Sequence, residues 1–233
     1  MASFDEVAAL RAQLDRLSME VGVLQDANAV RKLQHAYGYY LDKCLYDEVV
    51  DLFADDGEVC FMNGVFRGKA ALRRLYCDRF RKSFTGGHNG PMYGFLLDHL
   101  QLQDIVDVAP DRKTARARFR YLMQAGVHDT NKKAPERLPR QWWEGGIYEN
   151  QYLRENGVWK IRVNNCHCVY HGLFDEGWAH TPPNMIPPFT KTFPEDPVGP
   201  DLLVSPAPVL WPETAVTPFH YDHPVTGKKW SPA

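Results

Sequence analysis

The chain predicts an α+β domain, and three observations carry that prediction. Apolar residues recur at three- and four-residue spacing through the first third of the chain, then switch to strict alternation over later stretches. A hairpin-type turn, Arg154–Gly157 (RENG), joins the last two of those stretches. Proline then crowds into the final segment, where periodicity stops. Helices first and adjacent antiparallel strands after them argue for helices covering one side of a curved sheet.

Composition bounds the function classes before any motif is read. At 233 residues, the chain is long enough for one large domain or two small ones. With 44% hydrophobic and 24% charged residues, a packed core is expected. Net charge is −2 with both signs interspersed, which leaves no electrostatic footprint for nucleic acid or an anionic membrane. No apolar run approaches the roughly 20 residues a membrane helix needs. The start, MASFDEVAAL, lacks the charged beginning and apolar run of a signal peptide. Five cysteines, odd in number and loosely grouped, fit a reducing compartment better than a disulfide framework. The expectation is a soluble, cytoplasmic protein.

Residues 1–28 form an amphipathic helix. Val7, Leu10, Leu14, Leu17, Val21 and Leu24 alternate steps of three and four, an a/d heptad seam with mostly polar residues between. That seam serves either self-association, as a dimer or trimer, or packing on the chain's own domain. Residues 29–174 are the domain proper. Val30, Leu33, Tyr37, Leu41 and Cys44 draw one apolar stripe on a helix, and the stripe carries phenols at Tyr37 and beside it at Tyr40. A phenol in a core helix needs a partner for its hydroxyl or a hole beside it. Glu48, Val49, Leu52 and Phe53 begin a second helix, and Ala54–Gly57 (ADDG) reads as a tight stop before a strand at Glu58–Phe61. A third helix is expected from Val65 to Lys82, with Leu72, Leu75, Tyr76 and Phe80 inward and Cys77 beside them, before Gly86, Gly87, Gly90 and Pro91 break it.

Four strands follow. Leu96–Val108 alternates with Leu100 and Leu102 apolar, and Thr114–Gln124 places Ala115, Ala117, Phe119, Tyr121 and Met123 opposite Arg116, Arg118 and Arg120. Gln141–Leu153 sets Trp142, Glu144, Tyr148, Asn150 and Tyr152 on one face; Val158–Tyr170 sets Trp159, Ile161, Val163, Asn165, His167 and Val169 on one face. Residues 175–233 form an extended Pro-rich arm. Proline at this density excludes helix or central strand, yet Met185, Ile186, Phe189, Phe193, Leu210 and Trp211 are too apolar for a disordered tail. Such an arm wraps its own domain or a neighbouring subunit.

The runs LQHAYGYYLDKCLYDEVVDLFADDGEV, FRGKAALRRLY and GGIYENQYLRENGVWKIRV resemble the SnoaL-like branch of the nuclear transport factor 2 superfamily over roughly residues 25–170. The resemblance implies a conical α+β barrel, a strongly curved antiparallel sheet around helices with a deep apolar pocket. It says less about chemistry, because this fold serves dehydratases, isomerases, ring cyclases and non-catalytic binders alike. Tyr37 and Asp42 resemble the tyrosine and aspartate of the family's cofactor-free dehydratases of bile acids and scytalone, and His99 stands where those enzymes place a histidine. A histidine held by a carboxylate takes a proton, and a phenol stabilises a departing oxygen. Residues five apart lie about 140° apart on a straight helix, so Tyr37 and Asp42 share a pocket only if the helix ends or bends near Leu41. Asp42 as a solvated helix-end carboxylate and His99 as a structural histidine stay open as alternatives.

His167, with Ile161 on the family's inward face, completes the catalytic candidates Tyr37, Asp42, His99 and His167. Tyr40, Tyr121, Trp142, Tyr148 and Asn150 are the substrate-binding candidates, a polar aromatic set suited to a hydroxylated aromatic ligand. Lys132 and Lys133 stand either at the pocket mouth or in a solvated loop. Cys166, His167 and Cys168 alternate across a strand, and His220 and His223 lack a second pair at zinc-like spacing, so no metal is expected. No phosphate loop, dinucleotide fingerprint or nucleophile elbow appears, so no cofactor is expected. Acid/base chemistry remains: elimination, isomerisation, cyclisation or retro-aldol cleavage. The long tail and the Trp142–Trp143 pair are similar to the larger SnoaL-like lyases that release formaldehyde from lignin-derived diarylpropanes. A steroid- or polyketide-directed dehydratase or isomerase, or a non-catalytic binder, is the alternative.

Overall fold

The computed structural model describes residues 4–132, 134, 138–183 and 185–231. It shows the expected α+β architecture, with helices packed within a curved sheet. Helix α1 (Phe4–Asp42) runs unbroken for 39 residues, so the heptad seam and the Tyr37 stripe belong to one rod. From Phe4 to Val21 every residue is exposed, and the six seam residues are 37–69% exposed. The seam therefore does not lie on its own domain. Burial starts at Gly22 and Asp26, where the Asp26 carboxylate accepts hydrogen bonds from Arg112 (2.6 Å) and from the Trp159 indole (3.0 Å).

The helix ends as the pairing of Tyr37 with Asp42 requires. Cys44 adopts a left-handed φ of 54°, and the Leu45 N–H donates to the Tyr40 carbonyl at 3.0 Å. Helix α2 (Tyr46–Asp51) starts at once, its first N–H groups received by the Asn89 side-chain oxygen. Strand β1 (Phe53–Phe61) then differs from expectation. ADDG does not precede the strand; it is a bulge within it. Phe53 pairs with Ile161 and Glu58 with Val163, so the residues between them loop out of the ladder. Gly57 suits that bulge, because a Cβ there would stand 2.9 Å from the Ala54 carbonyl oxygen.

Val65 is also corrected. It lies in strand β2 (Gly64–Arg67), and the helix expected from Val65 starts three residues later, at Gly68, whose φ of 76° ends the strand. Helix α3 (Gly68–Arg73), a wider π-helical stretch (Arg74–Phe80) and α4 (Arg81–Thr85) follow in one run. Leu72, Leu75 and Tyr76 from this run are buried in the core with Tyr37, Phe53 and Phe119.

Strands β3 (Phe95–Val108), β4 (Thr114–Val127), β5 (Gln141–Glu155) and β6 (Val158–Leu173) form the long antiparallel wall. The sheet order is β3-β4-β5-β6-β1-β2-β7, with β7 the short Leu202–Leu203 strand. The expectation of an antiparallel sheet needs one amendment: β1 lies parallel to β6, which makes the sheet mixed. Two bulges in β6 decide which residues face the core. Gln151 pairs with Val163 but Tyr152 with Ile161, and Gly145 pairs with Tyr170 but Gly146 with Cys168. Each extra residue, Arg162 and Val169, reverses the side-chain phase.

The arm packs on its own chain. Asn63 holds its backbone at Phe189 through two hydrogen bonds of 3.0 and 2.7 Å, and the Phe189 ring meets Phe61 and Phe66 edge-on. Arg74 pairs with Asp201 and lies 4.3 Å over the Phe193 ring. Short helix α5 (Gly177–His180) precedes this stretch. The far end crosses the outer face of β4 and β5, where the Arg118 guanidinium donates to the Thr217 carbonyl at 3.0 Å and stacks on Phe219. His220 sits there between Glu149 and Asp107. Lys132 is exposed, and Lys133 lies outside the described residues.

Candidate active site

The mouth of the sheet encloses a cavity of about 380 Å³. Tyr37 and Leu41 from the end of α1 form its floor, with Leu75, Tyr76 and Phe80 from the third helical run on one side and Leu97, His99, Met123, Trp142 and Tyr148 from the strands on the other. Met185, Ile186 and Pro187 from the arm complete its lining. A volume near the lower end of the usual range for ligand pockets, about 300–1,000 Å³, suits a small organic molecule.

Because α1 stops at Asp42, that carboxylate turns toward β3. Its Oδ1 accepts the His99 backbone N–H at 2.7 Å and the His99 Nδ1–H at 2.9 Å. The carboxylate thereby fixes the tautomer and orients the ring that lines the cavity, leaving Nε2 as the position for proton exchange. Both side chains are nearly buried, at 11% exposure each. The Tyr37 hydroxyl shares a 3.0 Å hydrogen bond with the Tyr76 hydroxyl, and its ring meets Tyr148 edge-on. Burial pushes the Tyr37, Tyr76 and Tyr148 phenols well above their ordinary range, so they stay protonated as donors. Two buried polar groups on the cavity wall, the Asn164 amide and the Tyr46 hydroxyl, make no hydrogen bond of ordinary geometry among the described residues, their nearest polar neighbours being the Tyr37 hydroxyl and the Cys44 thiol. Weakly partnered buried groups of this kind require an explanation, and a bound ligand's oxygens would supply one.

The structure thus brings Tyr37, Asp42, His99, Trp142 and Tyr148 together at the cavity, Asp42 through His99. Four other candidates stand elsewhere. Tyr121 lies one layer behind, donating from its hydroxyl to Glu144 at 2.7 Å. Asn150 belongs to a polar network under the floor, donating to Gln34 at 3.0 Å and accepting the Asn165 N–H at 2.9 Å. Tyr40 is half-buried against the core without reaching the cavity. His167 is the clear correction. The bulge at Arg162 turns it to the outer face, near Glu149 and Arg118, while Asn164, Cys166 and Cys168 turn inward. Burial there holds the His167 imidazole below its ordinary value, which disfavours the charged form.

A profile of the SnoaL-like domain matches residues 22–164, more than half of the chain. The chain belongs to the SnoaL-like family. Among solved structures, a putative scytalone dehydratase from Novosphingobium aromaticivorans shares 19% identity, with 66% of this chain and 91% of that one covered and a TM-score of 0.52. LinA shares 15% identity over 66% of this chain and 92% of its own, with a TM-score of 0.51. At these identities the likeness is one of fold. A comparison with curated protein sequences returns no match.

The SnoaL-like domain match ends at Asn164, and an inward cluster lies partly beyond it. Glu144 Oε2, Cys168 Sγ and His171 Nε2 all fall within 4.8 Å of one another, with His171 Nε2 3.2 Å from the carboxylate and 3.4 Å from the sulfur. These three are the residues that could hold a metal ion among those described. Burial pushes the Glu144 carboxyl upward, but the His171 hydrogen bond and charge, the Tyr121 hydroxyl and the His99 charge outweigh it and hold it below its ordinary value. Burial raises the Cys166 and Cys168 thiols, so neither is a ready nucleophile. Sequence reasoning placed Glu144 on the inward face of β5 without giving it a role, and the two bulges hid the inward turn of His171.

Proposed function

We propose that this SnoaL-like protein is a cofactor-independent lyase working by acid/base chemistry on a hydroxylated aromatic molecule. The observation that carries the reading is the Asp42–His99 pair, buried at the wall of an apolar cavity floored by protonated phenols. Asp42 holds the His99 ring with its Nε2 free for exchange, so His99 gives a proton to a departing hydroxyl and takes one back. Tyr37 and Tyr148 offer hydrogen bonds to substrate oxygen in a site that excludes water, where such donors act strongly. The Asn164 amide and Tyr46 hydroxyl, weakly partnered on the cavity wall, suit a ligand bearing oxygens on more than one ring position.

The specific reaction we propose is conversion of a lignin-derived diarylpropane diol to a stilbene. His99 protonates the benzylic hydroxyl, which leaves as water while the para-phenol loses its proton, giving a quinone methide. Loss of the hydroxymethyl O–H proton then breaks the carbon–carbon bond; its electrons form the stilbene double bond and return the phenolate, and formaldehyde departs. Substrate becomes stilbene, formaldehyde and water, with no oxidant or reductant. The test incubates purified protein with a phenolic diarylpropane diol and measures formaldehyde and stilbene together. Water loss without formaldehyde assigns the dehydratase alternative, and tight binding without turnover a binding protein. The free state of all five cysteines accords with the cytoplasmic location we assign. The solvent-exposed seam on α1 accords with a homo-oligomer, dimer or trimer.

A further inference from the structure

The cavity wall holds a second ionisable pair. His99 on β3, Met123 on β4, Glu144 on β5 and His171 on β6 are direct cross-strand partners in succession, forming one row across four strands. Direct partners point to the same side of a sheet, so the row places a histidine–carboxylate unit at each end, with Met123 between. His99 and Glu144 lie two strands apart, roughly 10 Å between backbones at the usual strand spacing. Glu144 is the one acidic side chain that lines the cavity among the described residues.

We propose that Glu144 is a second catalytic group, the base that removes the hydroxymethyl proton after His99 has served as the acid at the benzylic centre. Its surroundings are built for a carboxylate. Tyr121 donates to Oε1 and His171 approaches Oε2 at 3.2 Å, and both partners are themselves buried. A buried carboxylate without such donors would be strongly disfavoured. The bulge at Val169 is what turns His171 inward beside it, and bulges that re-aim a side chain recur next to active sites. The other polar pairs of the domain have evident structural duties: Asp26 ties α1 to the sheet, and Gln34 ties α1 to Asn150 and Tyr152. The Glu144–His171 pair joins two strands already paired along their length, and its carboxylate member, Glu144, lines the cavity.

A plain elimination at adjacent atoms needs one residue that shuttles a proton over a short path. Two units this far apart suit a substrate whose leaving hydroxyl and departing proton sit on different branches, as they do in a diarylpropane diol. In the step assigned to Glu144, the carboxylate takes the O–H proton, the C–C bond breaks toward the quinone methide, and formaldehyde leaves. The carboxylic acid then returns the proton to the product phenolate through solvent or His171.

The inference rests on the proposed lyase activity, and E144Q separates the two. In E144Q the acid step survives, so the benzylic oxygen still exchanges with heavy-oxygen water through the quinone methide. Formaldehyde release falls by about 100-fold or more, the usual weight of a general base. E144D restores part of the release. H99A loses the exchange and the release alike. Wild-type protein that turns over while E144Q releases formaldehyde at the wild-type rate overturns the role of Glu144 alone. Wild-type protein inactive on diarylpropane diols overturns both, since no hydroxymethyl proton then needs a base. If E144Q does not fold, H171Q leaves the carboxylate in place without its imidazole. Release slowed about tenfold with exchange unchanged then supports the assignment, and equal slowing of both refutes it.

Discussion

Replacing Asp42 with asparagine tests the acid/base reading at its first link. The substitution keeps size and leaves an oxygen that still accepts the His99 backbone N–H, so the fold around the end of α1 should hold. What it removes is the negative charge 2.9 Å from Nδ1. A hydrogen bond to a charged partner contributes about 1.5–3 kcal/mol, which bears on the imidazolium more than on the neutral ring. Each 1.36 kcal/mol in a barrier is a factor of ten, so the loss alone slows turnover about 10- to 150-fold. Asparagine also offers an NH₂ group that rewards the wrong tautomer, with Nε2 protonated, and this carries the total toward about 1,000-fold. Binding is set by cavity shape and by groups that D42N leaves alone, so affinity for the stilbene product stays within about threefold. The assay pairs single-turnover formaldehyde release with stilbene fluorescence on the same sample. Turnover within a factor of three of wild type, with binding intact, would refute the role given to the pair.

Q34M strands the Asn150 amide, the Tyr152 hydroxyl and Gln101, all partners of a fully buried Gln34; we expect a loss of about 2–4 kcal/mol by urea unfolding. Glu149 is pushed up by burial but held below its ordinary value by His220 and Arg118. A depressed carboxyl contributes stability that is present above its unfolded pKa and lost as pH falls through the folded one. The stability gap between wild type and E149Q should therefore be full at neutral pH and shrink below about pH 4.3; a gap independent of pH would contradict the pairing. Leu10→Glu combined with Leu17→Glu places charge in the exposed seam of α1, and light scattering should show the oligomer stepping down to a smaller species with turnover per chain unchanged. A wild-type protein already monomeric at micromolar concentration would remove the basis for that expectation.

The long strands were legible because alternation marks them directly: Ala115, Ala117, Phe119, Tyr121 and Met123 all face inward as the pattern requires. The end of α1 was legible by chemistry, since Tyr37 and Asp42 serve one pocket only if the helix ends or bends near Leu41; it ends at Asp42, which reaches the cavity through His99. What alternation cannot carry is a change of phase. Arg162 and Val169 look like ordinary strand residues, yet each adds a place to β6 that has no partner on β5. The first sends His167 outward; the second brings His171 back in. Similarly, ADDG carries the composition of a turn, and its place inside β1 depends on pairing with β6, a hundred residues away in sequence. Tyr121 and Asn150 were read on the correct face but at the wrong depth, because a face does not say where packing stops and the cavity begins.

A part of the cavity lining, Met185–Pro187, lies outside the stretch matched to the family. The proposed acid, His99, and this part of the lining are thus encoded apart. Exchanging residues within Met185–Pro187 could redirect which molecules enter while leaving His99 untouched. In the proposed reaction this segment would shield the quinone methide from bulk water, so a leakier lining would divert intermediate to rehydrated substrate before the carbon–carbon bond has time to break.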